Sequence, residues 1–222
     1  MSVTTIRFPV RVGFHACVKQ RVHQYFADNR KPKTGDWRLF LKTGISLTWL
    51  VLFYLLYIFF ATSLLMVLLT VVALAQGFIL IGFNMMHDGG HNSYARHKTV
   101  NWLMAFTLDG IGGSHVLWLQ KHHRWHHTFT KIHEFDPDLS TAGLFRLSPE
   151  QPWYAWHRWQ HLYAVPVYSL LTLSWVLYGD FRKFFSGHIG HHPLLRPTRV
   201  AAGVFVGTKL VYVGYMSSSR EI

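Results

Sequence analysis

Two groups of histidines carry the chemistry available to this sequence. The first is His87-Asp88-Gly89-Gly90-His91, and the second is the run His122-His123-Arg124-Trp125-His126-His127. In a helix, residues four apart share a face, so His87 and His91 can offer two imidazoles to one metal ion. The second group holds His123, His126 and His127 at i, i+3, i+4, and His122 with His126 at i, i+4. Either trio aims two or three rings to one side, and spacing alone leaves open which of His122 and His123 takes part. Neutral imidazole suits iron, zinc and copper. Six histidines exceed the needs of one ion, so two metals are the simpler expectation. Asp88 is placed to accept the second ring N–H of a ligating histidine and fix its tautomer; Asp136 and Asp138, in the loop after the second group, are candidates for the same role. Gly89 and Gly90 weaken a helix by about 1 kcal/mol each relative to alanine, and their bareness lets another helix or a substrate come close.

Competing chemistries fit less well. The H-E-x-x-H protease pattern needs a glutamate base on a regular helix, and here an aspartate is followed by two glycines. His15, His23, His157 and His161 read as ordinary surface or core histidines. His97, His115 and His133 are left as possible supports of the site. The group His188, His191 and His192 sits beside Pro193 and reads more simply as a basic juxtamembrane loop than as a third ligand set.

The elements that position these groups are membrane elements. Between Thr43 and His87 there is no Asp, Glu, Lys or Arg. As one helix, residues 45–83 would be roughly 58 Å long, about twice the ~30 Å hydrocarbon core. Two antiparallel spans, about 45–61 and 64–83, joined near Ala61-Thr62-Ser63, are expected. They must be helical because lipid satisfies no backbone polar group. Residues 1–42 hold nine Lys/Arg (Arg7, Arg11, Lys19, Arg21, Arg30, Lys31, Lys33, Arg38, Lys42) against Asp28 and Asp36. By the positive-inside rule this segment is cytosolic, and so is the His87 end of the hairpin. Residues 99–119, broken by Asp109 and three glycines, read as interfacial, which keeps both histidine groups on the cytosolic side. Residues 162–178 contain Pro166 and are flanked by Arg158, Arg182 and Lys183; they read as in-plane or re-entrant. Residues 201–216 begin a further span that stops in six polar residues, as a truncated end would.

Composition agrees. Half the residues are hydrophobic and 14% are charged, where about 25% charged is ordinary for a soluble domain. The net charge of +12 suits basic loops over an anionic leaflet or an acidic partner. The basic residues flank apolar spans instead of forming a stripe, which argues against nucleic acid. One cysteine, Cys17, excludes a disulfide framework and a four-cysteine iron–sulfur site within this chain.

With these residues in view, the chain resembles the membrane fatty acid desaturase and hydroxylase superfamily. "HDGGH" and "HHRWHH" are similar to its first two histidine boxes. The similarity extends through "FNMMHDGGHNSY", "VNWLMAFTLDGIGGSHVLWLQKHHRWHHTFTKIHEFDPDL" and "WHRWQHLYAVPVYSLLTLSWVLYGDFRKFFSGHIG". It covers roughly residues 40 to 215 and points to the bacterial acyl-CoA, acyl-lipid and front-end-type desaturases. The resemblance implies an all-α integral membrane protein with an incomplete four-span fold. A basic segment 1–42 precedes a desaturase domain 43–222. It implies two irons held by His87, His91, His126, His127 and one or both of His122 and His123, with O2 as co-substrate and an acyl-CoA or acyl-lipid substrate. It also implies membrane lipid around the fold and an electron donor such as ferredoxin or a cytochrome b5; the cations Lys98, Lys121, Arg124 and Lys131 suit docking of such an acidic donor or binding of lipid headgroups or the phosphates of CoA. A bacterial inner membrane is the expected location. In the subfamily with an H-N-x-x-H-H box, His123 stands where asparagine is usual, which favours His122, whereas the shorter H-x-x-H-H spacing chooses His123. The family's third box, Q- or H-x-x-H-H, follows two further spans; His188-Ile189-Gly190-His191-His192 matches the bare pattern but sits too early, so the third box is expected beyond residue 222 or absent. Trp102, Trp118, Trp125 and Phe129 would line an acyl tunnel or anchor in the interface. A hydroxylase on the same scaffold, or a non-catalytic metal- or haem-binding membrane protein, are the alternatives.

Overall fold

The computed structural model describes residue 6 and residues 13–218. Arg7 and Arg11 of the basic segment, and residues 219–222, lie outside the described residues.

Helix α1 (Phe14–Asp28) precedes the long helix α2 (Trp37–Phe60). Asp36 caps α2 by accepting from the Arg38 N–H, and Ser63 caps α3 (Leu64–Ile81) by accepting from Met66 N–H; each cap satisfies a donor that the first helical turn leaves orphaned. The chain reverses at Ala61–Ser63. The two helices pack side by side, tied where the Trp49 indole N–H donates to the Ala73 carbonyl at 2.8 Å, with Gly77 lying against Leu50. Their outer faces, including Phe59, Leu64 and Leu65, are exposed. That pattern is costly in water and suited to lipid.

Helix α3 does not stop at the membrane boundary. It continues through a π-helical stretch, Gly82–Met86, into α4 (His87–Gly90), giving one helix of 27 residues, Leu64–Gly90. That is about 40 Å at 1.5 Å per residue, longer than the ~30 Å hydrocarbon core. Its last turns carry the first histidine group. Helix α5 (Lys98–Gly110) folds back against α4, and α6 (His115–Leu119) leads into a second π-helical stretch, Gln120–His126, and then α7 (His127–Phe129).

A loop with one 3-10 turn, Pro137–Leu139, then leads to a helix of 32 residues, Ala155–Ser186. It runs from 3-10 (Ala155–Trp159) through α8 (Gln160–Ser174) and a π-helical stretch (Trp175–Gly179) to α9 (Asp180–Ser186). Pro166 lies inside α8 without ending it. Gly187, left-handed at φ 67°, terminates α9. The strands β1 (His188–Ile189) and β2 (His192–Pro193) form a two-residue antiparallel ladder, and α10 (Arg199–Ser218) follows. Among the described residues, three helices are long and apolar enough to cross a membrane: Trp37–Phe60, Leu64–Gly90 and Ala155–Ser186. The protein is thus mostly helical, with several candidate spans around a histidine-bearing end.

Lys209, which breaks the apolar pattern of α10, is buried. Its Nζ donates to the Gly112 and Val176 carbonyls at 2.5 and 3.3 Å and pairs with Asp180 Oδ2 at 3.1 Å. The other Asp180 oxygen accepts from the Trp175 indole at 2.7 Å and from Lys183 at 3.2 Å. One lysine thereby joins α10, α9 and the loop between α5 and α6. Close by, Asp109 and His115 form a second buried pair at 2.6 Å, so His115 is a packing histidine remote from the two histidine groups.

Candidate metal centre

The two histidine groups meet. His91 Nε2 stands 3.2 Å from His122 Nε2 and 3.4 Å from His127 Nε2, and the latter two are 3.2 Å apart. A neutral imidazole nitrogen is a donor or an acceptor, never both, so three such atoms in a closed triangle cannot satisfy one another. A cation between them can. Ligand nitrogens at about 2.0–2.1 Å from a first-row ion stand about 2.8–3.4 Å apart for octahedral to tetrahedral angles, and the observed spacing falls in that range. His87 joins the cluster, its ring 4.5 Å from that of His91 and 5.3 Å from that of His122. Two sets have ligand atoms close enough to share an ion: His87, His91 and His122; and His122, His126 and Asp138. His122 is common to both. The residues fit a metal, and a histidine-rich set with one carboxylate suits iron.

Local helix geometry explains this convergence. His122 and His127 are five residues apart, and the intervening segment is π-helical, whose wider turn brings i and i+5 together. Sequence spacing judged by the α-helical i, i+3, i+4 rule has no means of seeing it. Such widened turns recur at functional sites. On the other strand of the site, α4 can approach α5 because Gly89 has no side chain: a Cβ there would lie 2.6 Å from the Asn101 carbonyl and 2.6 Å from Met104 Cβ. Gly90 gives the same room to Trp118, whose ring stacks on His122 at 4.4 Å. The bare pair therefore admits a helix and an aromatic wall.

The electrostatics favour neutral rings. Burial, then the neighbouring imidazoles of His123, His87 and His127, pushes His91 down to about 4. Burial, then His127 and its neighbours, pushes His122 down to about 3. His123 is lowered by burial first and by His127 and His87 next. Near neutral pH these rings carry no proton on the lone pair a metal would use. The His123 Nε2 atom is buried with no partner, and such an orphan costs about 1–3 kcal/mol if nothing fills it. Its ring lies 4.3 Å from that of His91, but it belongs to neither of the sets above.

His126 is held from behind. Its Nδ1 lies 3.0 and 3.2 Å from the two oxygens of Asp136 and 3.0 Å from Asp138 Oδ2. A ring that donates from Nδ1 to Asp136 keeps only Nε2 for a metal, so the Asp138 contact reads as a second acceptor of the same proton. Burial acts to raise the Asp136 carboxyl. The backbone N–H groups of Lys131 and Asp138, together with His126, outweigh it and hold Asp136 below the usual carboxylate range. Asp88 is more weakly placed, with Oδ1 3.5 Å from the adjacent His87 Nδ1, at the limit of a hydrogen bond. Asp138 also pairs with Lys121.

The remaining histidines have other work. His192 Nε2–H donates to the Phe135 carbonyl at 2.6 Å and the ring stacks on Trp125 at 3.9 Å, so the His188–His192 turn buttresses the second group from outside. His157 is engaged by the Tyr154 N–H and the Gly143 carbonyl. His133 and His191 line a cavity of about 360 Å³ beside Asp136. His97 precedes α5 as an exposed N-cap without a side-chain capping bond. Among the aromatics, Trp118 walls the metal cluster and Trp125 backs it, whereas Trp102 stacks on Phe106 with its face exposed. Trp118 and His192 are contributors whose roles spacing could not announce, since both act through contacts distant in sequence. A haem reading needs two rings facing one another across a macrocycle, and three nitrogens in so small a triangle leave no room for one.

A membrane protein of stacked apolar helices, with clustered imidazoles at one end of a span, is the class these features define. Residues 62–217 match the model of the fatty acid desaturase family, and the chain belongs to that family. Similar proteins include an acyl-lipid (8-3)-desaturase from Physcomitrium patens, 32% identical over 207 residues (91% of this chain, 43% of the relative). Two sn-1 linoleoyl-lipid 6-desaturases are also similar. That of Synechocystis is 30% identical over 218 residues (97% and 60%), and that of Arthrospira platensis is 32% identical over 212 (94% and 57%). The chain spans about half the length of these curated relatives. No solved structure matches it.

Proposed function

We propose that this chain carries the iron centre of an O2-dependent acyl desaturase. The observation that carries the reading is the triangle of imidazole nitrogens from His91, His122 and His127 at 3.2–3.4 Å. In this reading His87, His91, His122 and His127 hold one ion. His126, through Nε2, would contribute to a second, with Asp136 fixing the His126 tautomer and keeping its lone pair aimed inward. Bound iron would supply the O2-dependent removal of hydrogen from an inert C–H bond, chemistry no acid or base side chain provides. The protein's part is to hold ligands, exclude water behind Trp118, and admit an acyl chain from the bilayer. The named relatives act on acyl-lipids, which supports an acyl-lipid over an acyl-CoA. Two electrons would come from a ferredoxin- or cytochrome b5-like donor. Of the cations proposed to meet it, Lys98 is exposed, Arg124 lies over Trp125, and Lys121 is paired with Asp138.

The test is iron analysis joined to product analysis. Protein purified with ferrous iron should hold about two ions and, with O2 and a reductant, remove two hydrogens from a labelled acyl-lipid. An inserted hydroxyl would move the chemistry to a hydroxylase. Tight zinc with no retained iron would sink the redox reading.

We also infer that the Ala155–Ser186 helix returns to the face it leaves, and that this face is the cytosolic side of a bacterial inner membrane. Its first turn is tied to the loop after the metal centre: the Trp156 indole donates to the Gly143 carbonyl, and Arg146 N–H donates to Gln160. Just beyond its end, His192 reaches Phe135, and Leu195 N–H donates to Gln120. Between Phe135 and Arg146 the chain is turns and coil with one 3-10 turn, backbone that does not cross lipid, so both ends touch one side. Exposed Trp153, Trp156 and Trp159 suit an interfacial start. The N-terminal segment joins the same face, where Gly35 N–H donates to Ser93 and Thr43 bonds Tyr94. With Cys17 replaced by serine, Ser140→Cys and His191→Cys should react with an impermeant maleimide from the same side of sealed vesicles. Labelling from opposite sides would make the helix a crossing span.

A further inference from the structure

Helix α1 is the least explained element of the fold. None of its residues is buried. Phe14, Val18, Val22 and Tyr25 are all exposed, Phe14 at 81%. Their spacing of four, four and three places them on one helical face; the linker's Lys31 lies over the Tyr25 ring and donates to its hydroxyl, and the stripe is otherwise exposed. Beside it stand Lys19 and Arg21, and the linker adds Arg30, Lys31 and Lys33, against Asp28 alone until the α2 cap. All five cations are exposed. An apolar stripe flanked by cations is the composition of a helix that lies in a membrane surface.

The connection to α2 limits where that stripe can go. Gly35 is pinned to Ser93, and α2 enters its apolar run at Trp37 and Arg38, an aromatic–cation pair of the kind that marks the bilayer boundary. Between Asp28 and Gly35 the chain spans at most about 25 Å even when fully extended. Helix α1 is thus tethered within reach of the leaflet that α2 enters, on the face that carries the metal centre.

We propose that α1 is a surface-bound membrane helix, its Phe14–Tyr25 stripe seated at the acyl boundary and its cations on anionic lipid headgroups. This places a second, lipid-composition-sensitive contact next to the metal-bearing face. It is independent of the redox chemistry, because it requires only that α2 be inserted in a bilayer.

The single cysteine, Cys17, lies on α1 and is exposed, so the full chain carries its own reporter position. A spin label on Cys17 is read in nanodiscs of phosphatidylcholine alone and of phosphatidylcholine mixed with phosphatidylglycerol. Collisions with dissolved oxygen report lipid, and collisions with a nickel chelate report water. The expected result is protection from the chelate in the anionic discs, weakened by added salt and by Lys19→Gln or Arg21→Gln. Each neutralisation should lower surface partitioning about five-fold, the equivalent of ~1 kcal/mol per cation. These positions are exposed, and salt perturbs the contact with no substitution, so loss of folding cannot imitate the effect. Equal chelate access in both lipid mixtures would overturn the proposal. Protection that rises with the number of chains per disc, regardless of lipid charge, would overturn it too by assigning the stripe to a second copy.

Discussion

Replacing His122 with alanine is expected to empty the centre of iron, while His123→Asn leaves most of it in place. His122 Nε2 is 3.2 Å from the Nε2 atoms of both His91 and His127, and His122 is the one residue common to both potential ion sets. A neutral ring has one lone pair, so its removal takes a ligand from whichever set it completes. Changes to residues that only orient ligands cost 10–100-fold in metal affinity, so loss of a ligand itself should exceed about 100-fold. His123 has its Nε2 buried without a partner, and asparagine can fill much of that volume without entering either set. Iron per chain, measured after dialysis against a chelator, separates the two. If His123→Asn lost iron as completely as His122→Ala, the π-helical convergence would be the wrong description of the ligand set.

The second large effect concerns stability. Lys209→Met should destabilise the fold by about 3–5 kcal/mol, because it leaves the fully buried Asp180 short of a counter-charge. Lys183 still faces Oδ1 at 3.2 Å, which places the loss toward the lower end. At about 2–4 °C per kcal/mol for a chain of this size, the apparent melting temperature in detergent should fall by roughly 6–12 °C. The double change Lys209→Met with Asp180→Asn should recover much of that, since burying a charge alone costs more than burying neither partner. Equal melting of wild type and Lys209→Met would mean that the pair contributes no net stability.

The histidine groups were legible because ligand chemistry restricts residue types and because the first lies at the end of an uncharged run too long for one span. Family resemblance added the activity class, which the matched residues 62–217 place in the same family. The choice between His122 and His123 was not legible from spacing, which presumes α-helical turns; the 120–126 segment is π-helical, and five-residue separations replace three and four. Lys209 read as an interruption of an apolar segment because its partner, Asp180, is 29 residues away. Pro166 read as a break, yet the helix passes through it. The weight given to Asp88 also shifts. Adjacent to His87, it is an obvious candidate, but Asp136, ten residues beyond His126, makes the shorter bonds.

One consequence follows from the single rod that runs from Leu64 to Gly90. The same length of helix is both solvated by acyl tails and fitted with imidazole at its tip. A thinner or thicker bilayer is accommodated mainly by tilt, and tilt at one end of the rod is displacement at the other, resisted there by the seats of Gly89 on α5 and Gly90 on Trp118. Lipid chain length therefore bears mechanically on the spacing of His87 and His91 from His122 and His127, so that the fluid around the protein is coupled to the geometry of its centre.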